Sequence, residues 1–227
     1  MDNHIKEILF YGTHSQQFGH LYIPQNIKEN IPVVIVIHGG YWKDNHSLDS
    51  YATKSIVDYL LQFDVAIWNL EYRRMNAEGE NDKAPWPATF QDVANGIDYL
   101  RIVSSDFNLN IDNVVMIGHS AGGHLATWAS MRKVISADSE LFEIDPLPIK
   151  RTLSISGILN LSSSEDVNQP AQIERLMGGS LLTHPERYYA CDPYLLDDPN
   201  IALTLIHGEK DDCVSVKQAI DFGKKAR

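Results

Sequence analysis

The 227-residue sequence predicts an α/β fold: a mostly parallel, doubly wound sheet with helices on both faces. Three observations carry that reading. Continuous β-branched runs, above all Pro32-Val33-Val34-Ile35-Val36-Ile37, have the pattern of strands buried on both faces, as in a parallel sheet covered by helices. Such runs alternate with stretches whose apolar residues recur at helical spacing. Three runs end in glycine-marked turns: His38-Gly39-Gly40, Gly118-His119-Ser120-Ala121-Gly122 and His207-Gly208. All three fall at strand carboxyl ends, where open α/β sheets bind ligands.

In chain order, residues 5–12 and 19–24 read as short strands around the turn-rich Gly12-Thr13-His14-Ser15, an opening hairpin on a sheet edge. The Pro32–Ile37 strand follows. Leu48, Tyr51, Ala52, Ser55, Ile56, Tyr59 and Leu60 then mark one face of a helix. Val65-Ala66-Ile67-Trp68-Asn69-Leu70 is the next strand, followed by Glu71-Tyr72-Arg73-Arg74, in which Glu71 and Arg73 are suited to pair. A polar loop over 76–83 leads to a helix carrying Phe90, Val93, Ala94, Ile97 and Leu100, with Pro87 suited to its first turn. Val114-Val115-Met116-Ile117 is a strand running into the serine turn, and a helix begins beyond it. A charged excursion over 134–150 precedes the strand 152–156. Residues 158–200 are irregular, with a helical piece near 171–177; an insertion of this size is a candidate cap over a site. Residues 201–206 form a further strand, and Val216, Ala219, Ile220 and Gly223 share a face of the last helix. One domain over 1–227 is expected.

A net charge of −11 argues against nucleic-acid and anionic-membrane partners, which require a basic face. Two cysteines, Cys191 and Cys213, with no C-x-x-C, fit a reducing, cytoplasmic setting and offer neither a disulfide framework nor a zinc site. No apolar leader or membrane-spanning run is visible. No metal or organic cofactor is expected.

Strand, sharp turn and helix give G-x-S-x-G the context of a nucleophile elbow. Gly118 and Gly122 are needed because neighbouring chain crowds them, and Ser120 is forced into a strained conformation that exposes its hydroxyl. The N–H of Ala121, at a helix start, points where an oxyanion would form. A serine nucleophile needs a base and an acid that orients the base. Asp211, in a loop just after a buried strand, is the preferred acid, with Asp212 as competitor. Gly39, Gly40 and Tyr41 form the candidate oxyanion loop, with the second donor from the N–H of Gly40 or Tyr41. Trp42 and Trp86 are candidates to line an aromatic substrate pocket, or else to pack. His119 and His124 read as structural, and His207 as a tie between loops.

These stretches, together with Trp86-Pro87-Ala88-Thr89-Phe90-Gln91-Asp92-Val93 and Glu186-Arg187-Tyr188, resemble the α/β-hydrolase superfamily. They look most like its bacterial esterase and kynurenine-formamidase-like branch with an H-G-G-x-W motif. The resemblance implies a serine hydrolase that cleaves a small ester or amide through an acyl-enzyme, with Ser120 as nucleophile, Asp211 as acid, and Ala121 with the Gly39–Gly40 loop as oxyanion hole. Hydrolysis of an aromatic formyl amide is the alternative activity. Similar enzymes place the catalytic histidine after one more strand, about thirty residues past the acid. Here the sequence stops sixteen residues after Asp211. It therefore reads as a C-terminally truncated hydrolase of low turnover, lacking the last strand. The rival readings are a non-catalytic ligand-binding homologue, or a triad completed by a histidine from elsewhere in the chain or a partner subunit. Oligomeric state is not legible.

Overall fold

The computed structural model describes residues 3–76 and 86–225. The polar loop expected over 76–83 lies outside them from position 77 onward. Seven strands form one sheet in the order β1-β2-β4-β3-β5-β6-β7. They are β1 (His4–Phe10), β2 (Phe18–Pro24), β3 (Ile31–Ile37), β4 (Ala66–Leu70), β5 (Leu109–His119), β6 (Ile149–Ile155) and β7 (Leu203–Ile206). β1 pairs antiparallel with β2, and β2 with β4. From β4 across to β7 every pairing is parallel. The opening hairpin thus forms one edge, as the turn-rich segment between its strands implies.

β3 shows why the sheet is covered twice. Side chains alternate between faces along a strand. Val33, Ile35 and Ile37 join the main core, whereas Val34 and Val36 pack with Ile67 and Val57 in a second cluster. Val57 belongs to α1 (Tyr51–Leu60), which covers that second face. Its apolar spacing begins at Leu48, but the helix starts after Ser50; Leu48 instead lies in the preceding loop, held at both ends of its residue by side chains from β4 and the loop after it.

The main core takes α2 (Ala88–Asp98), the short α3 (Leu100–Val103) and α4 (Ala121–Ser130). The 158–200 segment contains α5 (Ala171–Met177), where the sequence predicts it, and also α6 (Pro185–Cys191), which the sequence reading missed. Leu159, Leu161, Ile173, Leu176, Met177 and Tyr188 of this segment are buried in the same core. α7 (Lys217–Lys225) closes the chain against the β7 side. Among the described residues no helix is long and apolar enough to cross a membrane. Cys191 is buried and Cys213 exposed, both as free thiols.

Candidate active site

β5 runs straight into the serine turn. Ser120 has φ 56° and ψ −122°, outside the regions open to most residues, and α4 begins at the next position. Backbone crowding enforces the turn. A Cβ on Gly118 would lie 2.0 Å from the Gly122 carbonyl oxygen, and one on Gly122 would lie 2.1 Å from that of Ile37. The Ser120 N–H donates to the Ile155 carbonyl (2.8 Å), which fixes the turn to β6. Ala121 is the first residue of α4, so its N–H has no carbonyl within the helix to bond.

The loop after β3 folds back toward this turn. Gly40, Tyr41 and Trp42 have successive φ values of 108°, 49° and 56°. Three left-handed residues in a row reverse the chain tightly, and the Lys43 N–H closes the turn on the Gly40 carbonyl (3.0 Å). A Cβ on Gly39 would stand 2.5 Å from the His119 carbonyl oxygen and 3.1 Å from Ser120 Cβ. Only glycine lets the backbone of this loop come so near the serine.

A buried polar cluster holds the loop from below. His38 Nε2 lies 2.8 Å from the Glu71 carboxylate and Nδ1 2.8 Å from the Gly39 carbonyl. The Tyr72 hydroxyl donates to the His38 carbonyl, and its ring stacks on His38 at 4.3 Å and 9°. Glu71 also accepts from the N–H groups of Leu48 and Tyr72 and pairs with Arg74 at 3.2 Å. Burial pushes the Glu71 carboxyl up, but His38, Arg74 and the Tyr72 N–H outweigh it and hold the group below the ordinary carboxylate range. The pair expected between Glu71 and Arg73 does not form. Arg73 turns the other way and clamps Asp92 through Nε and Nη2 (2.8 and 2.7 Å), while Arg74 takes Glu71.

On the other side, Asp211 follows β7. Its Oδ1 accepts from the N–H groups of Cys213 and Val214, both at 2.9 Å. Oδ2 lies 3.6 Å from His207 Nε2. Burial raises the Asp211 carboxyl, and the Val214 and Cys213 N–H groups, the Ser156 hydroxyl and His207 together bring it below its ordinary value. Asp212 is exposed and points its carboxylate at the Cys213 thiol, so the two neighbours differ in surroundings. Asp211, Asp212 and Cys213 also bring three potential ligand atoms within 4.8 Å of one another, two of the three residues being exposed. His119 precedes Ser120 at the end of β5. Burial lowers its pKa, and the field of Asp211 opposes that shift.

Three further residues join the two sides. Ser156, at φ 47° just past β6, donates its N–H to the Ile206 carbonyl (2.8 Å), and its side chain helps lower the Asp211 carboxyl. Asn168 accepts from the Tyr41 hydroxyl (2.8 Å) and donates its N–H to the Cys213 carbonyl (2.9 Å). The Tyr41 hydroxyl reaches that Cys213 carbonyl too, at 3.0 Å. Sequence reasoning missed Ser156 and Asn168. The position of Ser156 at a strand carboxyl end was a usable signal; Asn168, in an irregular segment, offered none.

The structure separates the two tryptophans. Trp42 is fully buried, edge-on to His124 at 5.3 Å, and so lines no open pocket. The left-handed turn at residues 40–42 carries its side chain into the core, which corrects the substrate-pocket reading. Trp86 borders a 360 Å³ cavity with Ser136, Asp138, Glu140, Arg187 and Tyr189, its indole N–H on Glu140. His124 is buried, donates Nε2 to the Cys191 carbonyl, and has its pKa pulled down to about 4 by that burial. His207 donates Nε2 to the Val214 carbonyl (2.8 Å), tying strand end to acid loop. The chain has nine histidines, all among the described residues; the His124 N–H donates to the Ser120 carbonyl (3.1 Å) within α4, and no described histidine ring hydrogen-bonds to Ser120.

The BD-FAE family model matches residues 20–226. Esterase LipQ of Mycobacterium tuberculosis is 22% identical over 200 residues, which is 86% of this chain and 46% of the relative. Kynurenine formamidase of Danio rerio is 26% identical over 180 residues, 78% of this chain and 54% of the relative. The chain thus spans about half the length of the curated relatives it matches. A solved structure described as a truncated form of carbohydrate esterase from gut microbiota superimposes with TM-score 0.79 at 20% identity, covering 98% of this chain and 84% of that one. At that identity the likeness concerns the α/β-hydrolase fold.

Proposed function

Because this chain belongs to the BD-FAE family, with the α/β-hydrolase fold, we propose that it is a serine hydrolase acting on small carboxylic esters or amides through an acyl-enzyme. The observation that carries the reading is the approach of Gly39 to within 3.1 Å of Ser120 Cβ, measured from its notional Cβ. That closeness supports the Gly39–Tyr41 loop as the second source of oxyanion donors. In the proposed reaction Ser120 Oγ attacks the substrate carbonyl and gives its proton to a histidine base that Asp211 orients. The N–H of Ala121 and that of Gly40 or Tyr41 hold the oxyanion. Collapse of the tetrahedral intermediate expels the alcohol or amine, which takes the proton from the base. Water then attacks the acyl-serine by the same route and releases the acid. No metal enters this sequence, and residues 158–200 serve as a wall of the site. No described histidine ring hydrogen-bonds to Ser120, so low turnover is expected of these 227 residues alone.

The test is fluorophosphonate labelling of the full-length gene product. Labelling of Ser120 that Ser120→Ala abolishes is expected. A full-length product that resists labelling would instead mark a non-catalytic ligand-binding homologue. Similarity to a kynurenine formamidase favours an aromatic formyl amide as the second substrate class. Rates on N-formylkynurenine and p-nitrophenyl acetate, compared side by side, separate the two.

A further inference from the structure

The two sides of the candidate site rise from strands that are not paired with each other. In the sheet order β3-β5-β6-β7, the loops after β3 and β7 start three strand spacings apart, roughly 14 Å. Acyl transfer needs both sides at once, because the oxyanion forms as the base takes the serine proton. A displacement of about 1 Å between such groups can cost about a hundredfold in rate. The distance across β5 and β6 therefore needs a fixture of its own. Four consecutive residues of the 158–200 segment supply one. On the β7 side, the Asp166 carbonyl accepts from the Ser215 N–H (2.8 Å), Val167 bridges Val214, and the Asn168 N–H donates to the Cys213 carbonyl (2.9 Å). On the β3 side, Asn168 Oδ1 accepts from the Tyr41 hydroxyl (2.8 Å) and Gln169 Oε1 from Lys43 Nζ (3.0 Å).

Asn168 thus reaches one loop with its backbone and the other with its side chain. Tyr41 closes the triangle, since its hydroxyl lies 3.0 Å from the same Cys213 carbonyl. The Cys213 peptide passes the contact on: its N–H donates to Asp211 Oδ1 (2.9 Å). Tyr41 is 7% exposed, so water competes little for these bonds. We propose that Asn168 and Tyr41 are positioning residues of the hydrolase reaction, which together hold the candidate oxyanion donors of residues 39–41 at a set distance from Asp211. This assignment rests on the serine-hydrolase reading and adds to it Asn168, which acts only through Tyr41 and Cys213. Loss of the link slows the chemical step and leaves binding before that step alone.

The test is the rate at which a fluorophosphonate labels the full-length gene product, in which Ser120 Oγ bonds phosphorus, fluoride leaves and the base takes the serine proton. Rates over a range of probe concentrations separate the maximal labelling rate from the concentration that gives half of it. Asn168→Ala and Tyr41→Phe should each lower the maximal rate about tenfold, between the roughly fivefold worth of one neutral hydrogen bond and the loss for a full ångström of displacement. The half-maximal concentration should stay within about twofold. Val57→Ala, at a buried position of the second core cluster, should lower the urea midpoint and leave the maximal rate unchanged, which separates positioning from stability. An unchanged maximal rate in Tyr41→Phe, which removes a single oxygen, would overturn the proposal even where Asn168→Ala does not fold. So would an equal fall in Val57→Ala, or a change confined to the half-maximal concentration. Wild type that resists labelling would sink the hydrolase reading and this one with it; wild type that labels, with both variants unaffected, would sink the positioning role alone.

Discussion

Glu71→Ala is the substitution that tests most directly how the Gly39 loop is held. The carboxylate is 1% exposed and faces four donors: His38 Nε2, the Leu48 N–H, the Tyr72 N–H and Arg74. Removing one member of a buried, hydrogen-bonded pair leaves the partner's charge uncompensated, at about 3–5 kcal/mol. Against a total of about 5–15 kcal/mol for a typical domain, this is a third or more of the stability. Equilibrium urea unfolding followed by tryptophan fluorescence reads it, since Trp42 and Trp68 are fully buried. The midpoint should fall with little change in the denaturant slope. A loss under about 1 kcal/mol would refute the view that this cluster holds the loop. The pH dependence has a definite sign. The folded Glu71 carboxyl lies below its ordinary value of 4.5, so its contribution is complete above that value. It is lost as pH falls through 4.5 toward the depressed folded value. The difference in stability between wild type and Glu71→Ala should therefore shrink on acidification below that point and be flat at neutral pH.

Gly122→Ala should unfold the chain or cost more than about 3 kcal/mol, because the new Cβ would meet the Ile37 carbonyl at 2.1 Å and neither backbone can yield. Gly223→Ala is its control: nothing lies within 4 Å of that Cβ, and helix propensity should raise stability by about 0.5–1 kcal/mol. Arg73→Lys keeps the charge but loses the two-pronged contact to the buried Asp92, which should cost about 1–3 kcal/mol in the same unfolding assay. Tyr41→Phe removes the hydroxyl that bonds Asn168 and Cys213. It should cost about 1 kcal/mol in stability and speed amide hydrogen exchange in residues 211–215; unchanged exchange there would show that the hydroxyl does not tie the two loops.

The strands were legible because burial on both faces leaves an unbroken β-branched run, and β3 and β4 are such runs. The serine turn was legible because its glycines mark places where backbone meets backbone. Gly118, Gly122 and Gly39 are each within 2.5 Å of a carbonyl oxygen at a notional Cβ. What sequence could not supply was direction. Arg73 and Arg74 are adjacent, and only the path of the loop after β4 sends one to Asp92 and the other to Glu71. Trp42, two residues past a glycine pair, reads as lining a pocket or packing, and only its φ of 56° and full burial decide for the core. α6 escaped because seven residues are two turns, too few for a periodic pattern to stand out from an irregular segment.

The two sides of the candidate site are held by different forces. The serine turn and the Gly39 loop are fixed by backbone contacts that no side-chain motion can relieve, on strands at the centre of the sheet. Asp211 follows β7, which is the sheet's last strand among the described residues. Its loop is held by hydrogen bonds from a different part of the chain: Asn168 to Cys213, Ser215 to Asp166, and the Val167–Val214 bridge. Such bonds are each worth about 1 kcal/mol and open locally without global unfolding. The serine turn and the Gly39 loop are therefore preorganised by the fold itself, while the Asp211 loop rests on hydrogen bonds from the 158–200 segment together with Tyr41 and His207. The burial of that segment in the main core, through Ile173, Leu176 and Met177, anchors the part of the chain from which Asp166, Val167 and Asn168 reach the Asp211 loop.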